Sequence, residues 1–169
     1  MEIDKQTVIE AEAKLIKVIQ ETVRRTKSTN IVLKPYPPAS QQMIEKYERY
    51  LELKLPPSYR FFLELHNGYE CLAFPGHMLS IESLMPGQQW HKKVIEWKQI
   101  NADTGGSEVL DGIVIANLGQ PNDWAYLDPN KPTGDGELAV VINLSGDSED
   151  FKNLVGFYEW CIQVCQYMK

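Results

Sequence analysis

The chain has 169 residues, 43% of them hydrophobic and 24% charged, ordinary values for a globular domain that exclude a disordered or fibrous chain. No apolar run reaches the ~18 residues a membrane span needs. Met1–Ile3 leads into a charged, periodic segment, so a soluble protein of the cytoplasm is expected. Three cysteines cannot close into a disulfide framework, which fits a reducing compartment.

The net charge of −6 is unevenly placed. Met1–Arg60 holds 11 basic and 8 acidic residues, the remainder 6 basic and 15 acidic. Between Asp103 and Asp150 lie Asp103, Glu108, Asp111, Asp123, Asp128, Asp135, Glu137, Asp147, Glu149 and Asp150, offset by Lys131 alone. A field of that sign repels phosphate backbones and draws basic surfaces. Direct nucleic-acid binding is therefore disfavoured and a basic protein partner is admitted. A solvated acidic rim that serves solubility is the plainer alternative.

In chain order, Lys5–Thr26 reads as an amphipathic helix, with Val8, Ala11, Leu15, Val18, Ile19 and Val23 at three- and four-residue steps. Lys27–Ser40 breaks the pattern at Pro35, Pro37 and Pro38 and reads as a linker or arm. A second helix starts at Ser40, a good N-cap, and runs to about Leu51. A third, about Pro57–His66, begins on a proline that suits a helix start and ends at Asn67–Gly68, which tolerate a left-handed cap. Short strands are expected at Tyr69–Phe74 and Met78–Leu84, and a helix at Gln88–Asn101. Gly112–Ala116, Trp124–Leu127 and Glu137–Asn143 read as further strands, with Asn130–Gly136 as an exposed turn or loop. The last element, about Ser148–Met168, reads as a helix whose Asp147–Asp150 opening suits the positive end of the dipole. It is apolar on two sides and needs two neighbours: the sheet, and either the N-terminal helix or a second subunit in a homodimer. Helices, then strands, then a closing helix make an α+β fold with a mixed, largely antiparallel sheet.

Residues for chemistry are sparse. His66, His77 and His91 are spaced by 11 and 14, so no pair shares a helical face and no metal motif forms. Cys161 and Cys165 share a helical face, but they lie on the stripe of Phe151 and Tyr158 and read as small buried hydrophobes. Cys71 reads the same way. Asp128–Glu137 resembles a calcium loop only superficially, since its proline and threonine stand where a ligand and the sharp-turn glycine belong. There is no phosphate-binding glycine pattern and no nucleophile elbow. His66 is expected to serve the end of its helix, and Trp90, Trp97, Trp124 and Trp160 to pack the core. Asn143-Leu-Ser145 matches a glycosylation sequon without a secretory setting. No enzyme activity, metal or cofactor is expected.

The run Pro37-Pro-Ala-Ser40, Ile44, Tyr47-Glu48, Leu55-Pro-Pro-Ser-Tyr59, Phe61-Phe-Leu63 and His66-Asn-Gly68 resembles the opening of the SUKH superfamily, and more narrowly its Smi/Knr-type cell-wall (glucan synthesis) regulator family. Leu79–Leu84 and Asn122-Asp-Trp-Ala-Tyr-Leu127 match later family segments, so the similarity spans about Pro37–Val164. The chain departs from that pattern at Tyr69, where the family often has a second glycine, and in Met1–Tyr36, which has no clear counterpart. The organisation implied is an accessory N-terminal helix and linker, 1–36, before a SUKH-like domain, 37–169. The resemblance implies an α+β fold without established catalytic residues. It also implies a bacterial immunity protein that neutralises a toxin domain with a basic, nuclease-type cleft, or else a scaffold in cell-wall synthesis. Glu70, Asp111, Asp123, Asp128 and Asp135, near the sheet loops, are the expected partner-binding residues, and no membrane contact is expected.

Overall fold

The computed structural model describes residues 3–27, 33–70, 76–104, 106, 109–144 and 147–167. Cys71, the end of the strand expected at Tyr69–Phe74, Gly105, Glu108 and Ser145 of the sequon lie outside them. Helix α1 (Lys5–Thr26) has the expected bounds, opened by Asp4, whose carboxylate accepts from the Thr7 amide at 2.8 Å. Strand β1 (Lys34–Pro35) follows, then α2 (Gln41–Leu51) capped by Ser40, and α3 (Pro57–Leu65) with proline in its first turn. Buried Glu48 ties the segment between these two helices, accepting from Lys54, the Leu55 amide and Arg60 at 2.7, 3.2 and 2.8 Å.

Strands β2 (Tyr69–Glu70), β3 (His77–Met78), β4 (Ile113–Asn117), β5 (Trp124–Gly134), β6 (Glu137–Leu144) and β7 (Asp147–Phe151) complete a seven-stranded sheet in the order of the chain. Every neighbouring pair is antiparallel. Helix α4 (Gln89–Asp103) lies between β3 and β4 in sequence, and α5 (Leu154–Tyr167) closes the chain. No described helix is long and apolar enough to cross a membrane.

Four expected boundaries move, each for a local physical reason. The strand expected through Leu84 stops at Met78, because Ser80 turns the chain: its carbonyl and hydroxyl both accept from the Ser83 amide, so the ladder loses to local bonds. Asn67–Gly68 does not cap α3 in left-handed form. His66 ends that helix in an extended conformation, and Asn67 instead sends its side-chain oxygen to the Ile81 amide at 3.0 Å. Asn130–Gly136 is not a loop: β5 continues to Gly134 and turns on Asp135–Gly136, both at positive φ, the two-residue geometry that antiparallel twist favours. The register shifts on either side of Pro132, which has no N–H to give the ladder. Finally, Asp147–Asp150 is strand β7 rather than the start of the last helix. Helix α5 begins after Asn153, whose side chain accepts from the Gly156 amide at 3.1 Å.

One face of the sheet is covered by α5, with Leu154, Phe157, Tyr158 and Cys161 almost wholly buried. Each large side chain so buried contributes about 1.5–3 kcal/mol. The outer side of α5 meets α1, where Thr22 and Arg25 donate to the Cys165 carbonyl at 3.1 and 3.0 Å and so serve the negative end of the α5 dipole. Its flank is filled by Phe151, 5.6 Å from Trp160 between ring centres. The neighbours that α5 needs are thus present in one chain. Along α1, Val8, Leu15 and Ile19 are buried as expected, but the same stripe holds a buried carboxylate, Glu12. The Tyr69 hydroxyl donates to it, and His66 Nε2 stands 3.7 Å from its other oxygen.

Two outcomes follow from these contacts. At Gly68, φ is +103° and an added Cβ would lie against the Met78 carbonyl and the Ser80 amide. Gly68→Ala should lower the urea midpoint by an amount equivalent to about 3 kcal/mol with an unchanged m-value; a loss within experimental error would show that the backbone can retreat. At Glu12, burial holds the carboxyl above its ordinary 4.5, against the Tyr69 bond and the His66 field that pull it down. The unfolded chain therefore ionises first as pH rises past 4.5, and folding loses stability from there up through the folded value. Glu12→Gln keeps an acceptor for Tyr69 and carries no charge, so its melting temperature should gain on that of the wild type as pH rises. A difference that stays flat across pH would show that Glu12 ionises as freely inside the fold as outside it.

Candidate binding groove

The second face of the sheet carries α4, with α2 beside it at β4. Trp90, Lys93, Trp97 and Ile100 recur along one side of that helix at the spacing that brings residues into line. Trp97 and Trp124 are buried with ring centres 5.6 Å apart, and Trp97 also meets Tyr126 at 5.9 Å. Half-buried Trp90 sets its edge against Trp124 at 5.9 Å and lies 5.7 Å from the His77 ring. The sequence suggested separate core positions for these indoles. The fold gathers three of them, while Trp160 packs on the opposite face.

The cover is incomplete. A cavity of about 700 Å³ opens beside Trp90, lined among others by His77, Lys93, Glu96 and Asn122. A second, of about 580 Å³, runs on toward Tyr126, Lys131, Asn143 and Ser148. They share Trp97, Ile100 and Asn122 and form one open groove. Its floor follows from register: Trp124 pairs with Asn143 and Asn143 with Ser148, while Tyr126 pairs with Val141 and Val141 with Asp150. Strand alternation puts both rows on the α4 side. Ile100, on the rim, is 57% exposed, a large apolar side chain left to water.

The charges at the groove are specific. Lys93 Nζ lies over the Trp90 ring, 4.4 Å from its centre, a cation–π contact. Lys131 pairs with Asp150 at 2.6 Å. Beyond that pair, Asp147 and Glu149 are exposed on β7, the free edge of the sheet.

The acids expected to meet a partner do not share one surface. Asp123 is nearly buried and closes the turn between β4 and β5, its carbonyl accepting from the Leu118 amide at 2.8 Å. Asp128 is buried too, its carboxylate accepting from the Asn130 amide at 2.9 Å. Asp111 is exposed and shares Asn130, at 3.4 Å, so these two are neighbours. Asp135 stands exposed at the tip of the β5–β6 hairpin, and half-buried Glu70 pairs with Lys34 at the other edge of the sheet. Glu137 is taken inward, accepting from the Ser58 amide and hydroxyl at 2.8 and 2.6 Å and capping α3, whose own N-cap is a proline. The exposed acids that lie together are those of β7.

The three histidines are dispersed: His66 beside Glu12, His77 against Trp90, and His91 at 2.9 Å from the Tyr50 hydroxyl. Cys161 and Cys165 are buried, as their stripe implied, and burial raises the Cys161 thiol well above its ordinary range. Among the described residues no group of His, Cys, Asp and Glu is placed to hold a metal ion.

No curated protein matches the sequence significantly. The sequence profile of the SMI1/KNR4 family (SUKH-1) matches residues 38–160, from just before α2 to the middle of α5. Helix α1 precedes that segment, although it packs on its core. The match covers most of the chain, and the chain belongs to the SMI1/KNR4 family (SUKH-1).

Proposed function

We propose that this chain is a non-catalytic binding protein of the immunity type, which acts in the cytoplasm by covering the basic cleft of a toxin domain. The observation that supports this most is the placement of charge. The groove under α4 runs out to β7, whose Ser148 and Asp150 face it, while exposed Asp147 and Glu149 add negative charge on the opposite face of the same edge. A toxin that works on nucleic acid must be basic where it meets its substrate, and a negative edge steers such a surface into place. Neutralisation of this kind needs shape and charge complementarity, without a nucleophile or a metal. The chain's net charge of −6 has the right sign for it. A scaffold in cell-wall (glucan) synthesis is the other role compatible with the family, but no feature of the groove favours it.

Co-expression with the toxin encoded beside its gene should restore growth, and failure to do so would defeat the proposal. In purified components, association should slow steeply with added salt. The double substitution Asp147→Asn, Glu149→Gln should slow association about tenfold at low salt while leaving dissociation nearly unchanged. An association rate indifferent to both salt and substitution would remove β7 from the interface.

A further inference from the structure

The groove has chemistry of its own at the Trp90 end. A ring face of Trp90 already takes a cation, the tip of exposed Lys93 one turn further along the same helix. Trp124 and His77 stand around Trp90 at 5.9 and 5.7 Å, so three aromatic rings border one cavity. Glu96, also exposed, lines that cavity and brings a carboxylate to the rings. Aromatic faces attract cations through their quadrupole. A planar guanidinium suits such a place better than an ammonium, because it stacks flat on an indole while its in-plane donors reach a carboxylate.

The rest of the groove fits a peptide that carries such a group. Trp97, in the wall common to both cavities, is buried and gives the groove a rigid aromatic side. Exposed Ile100 offers apolar contact midway, and the far end reaches Ser148 of β7 and the Lys131–Asp150 pair. A neutral sugar would also stack on indole, but it would make no use of the Glu96 charge.

We propose that this groove takes an extended, arginine-bearing segment of the protein partner, with one guanidinium laid on Trp90 in place of Lys93 and held by Glu96. The inference rests on the reading of the chain as a protein-binding module and names the side chain that module selects. Lys93 then acts as a placeholder that the incoming arginine displaces, and its positive charge opposes the exchange. Removing that charge strengthens binding, a sign opposite to that expected for an ordinary contact residue.

The test uses the full chain and its own indole fluorescence, titrated with acetyl-Gly-Arg-Gly-Arg-Gly-amide. The same peptide with citrulline for arginine is the uncharged isostere, and maltotetraose the neutral sugar. The arginine peptide should shift the emission, with the other two silent at equal concentration. Glu96→Gln should weaken the arginine peptide about tenfold and Lys93→Gln should tighten it several-fold. Both substitutions are on exposed side chains, so folding is preserved. Equal binding of the citrulline peptide, binding of the sugar instead, no response to either peptide, an indifferent Glu96→Gln, or a Lys93→Gln that weakens binding would each overturn the inference. Peptide binding reads the groove alone and protection of cells reads neutralisation, so either can fail while the other stands.

Discussion

Strands β4, β5 and β6 are buried on both faces over their central residues, from Ile113 to Asn117, Trp124 to Asp128 and Ala139 to Ile142. A sheet of that kind leaves neither face to water, and the rest of the architecture is the answer to this demand. The meander can cover one face with the helices at the chain's two ends, and α1 and α5 do so together. The other face receives α4, inserted between β3 and β4, with α2 beside it at β4. Together they do not reach across the whole sheet. Helix α4 buries Trp97 and Trp124 beneath it and leaves Asn143 and Ser148, toward the β7 edge, partly open. The groove is thus a direct result of two-sided burial met by an unequal pair of covers.

The same demand explains why α1, which precedes the segment matched by the family profile, is no loose appendage. It buries Val8, Leu15 and Ile19, caps the end of α5 through Thr22 and Arg25, and reaches Glu64 through Lys5 at 2.9 Å. At its centre Glu12 accepts from the Tyr69 hydroxyl, so the helix outside the matched segment is bonded to a residue inside it. A buried carboxylate costs desolvation, and a buried partner is what makes it tolerable. The Tyr158 hydroxyl, buried without a partner and within the field of Glu12, belongs to the same pocket of polarity inside the core.

How much of this was legible depended on whether the deciding partner was near in sequence. Asp4, Ser40 and the Pro56–Pro57 pair set the starts of α1, α2 and α3 by bonds within one turn, and those helices stood out at once. Asp147–Asp150 read as the opening of the last helix, because acids suit a first turn. Pairing with β6 decided for the strand, and local composition carries no sign of it. Glu137 counted as surface charge until Ser58, 79 residues earlier, claimed it. The indoles of Trp90, Trp97 and Trp124 have core character singly. Their meeting at the lip of a groove needs the register of α4 against β5, which no helical or strand period encodes.

Edge strand β7 carries two demands that happen to agree. A free edge presents unpaired backbone groups to any passing strand, and charge along it is a common protection against self-association. Acids serve that purpose as well as lysines would when the only competitor is another copy, since two negative edges repel. They differ in what they admit: an acidic edge turns away its own kind and remains open to a basic strand or loop. The other edge, β1, is guarded by Lys34 and Pro35, where proline removes a donor outright. One edge is thus closed by geometry and the other only by sign, and it is the second that borders the groove. A surface protected by sign alone is already selective for partners of the opposite charge, so protection against self-association and choice of partner follow from the same three carboxylates.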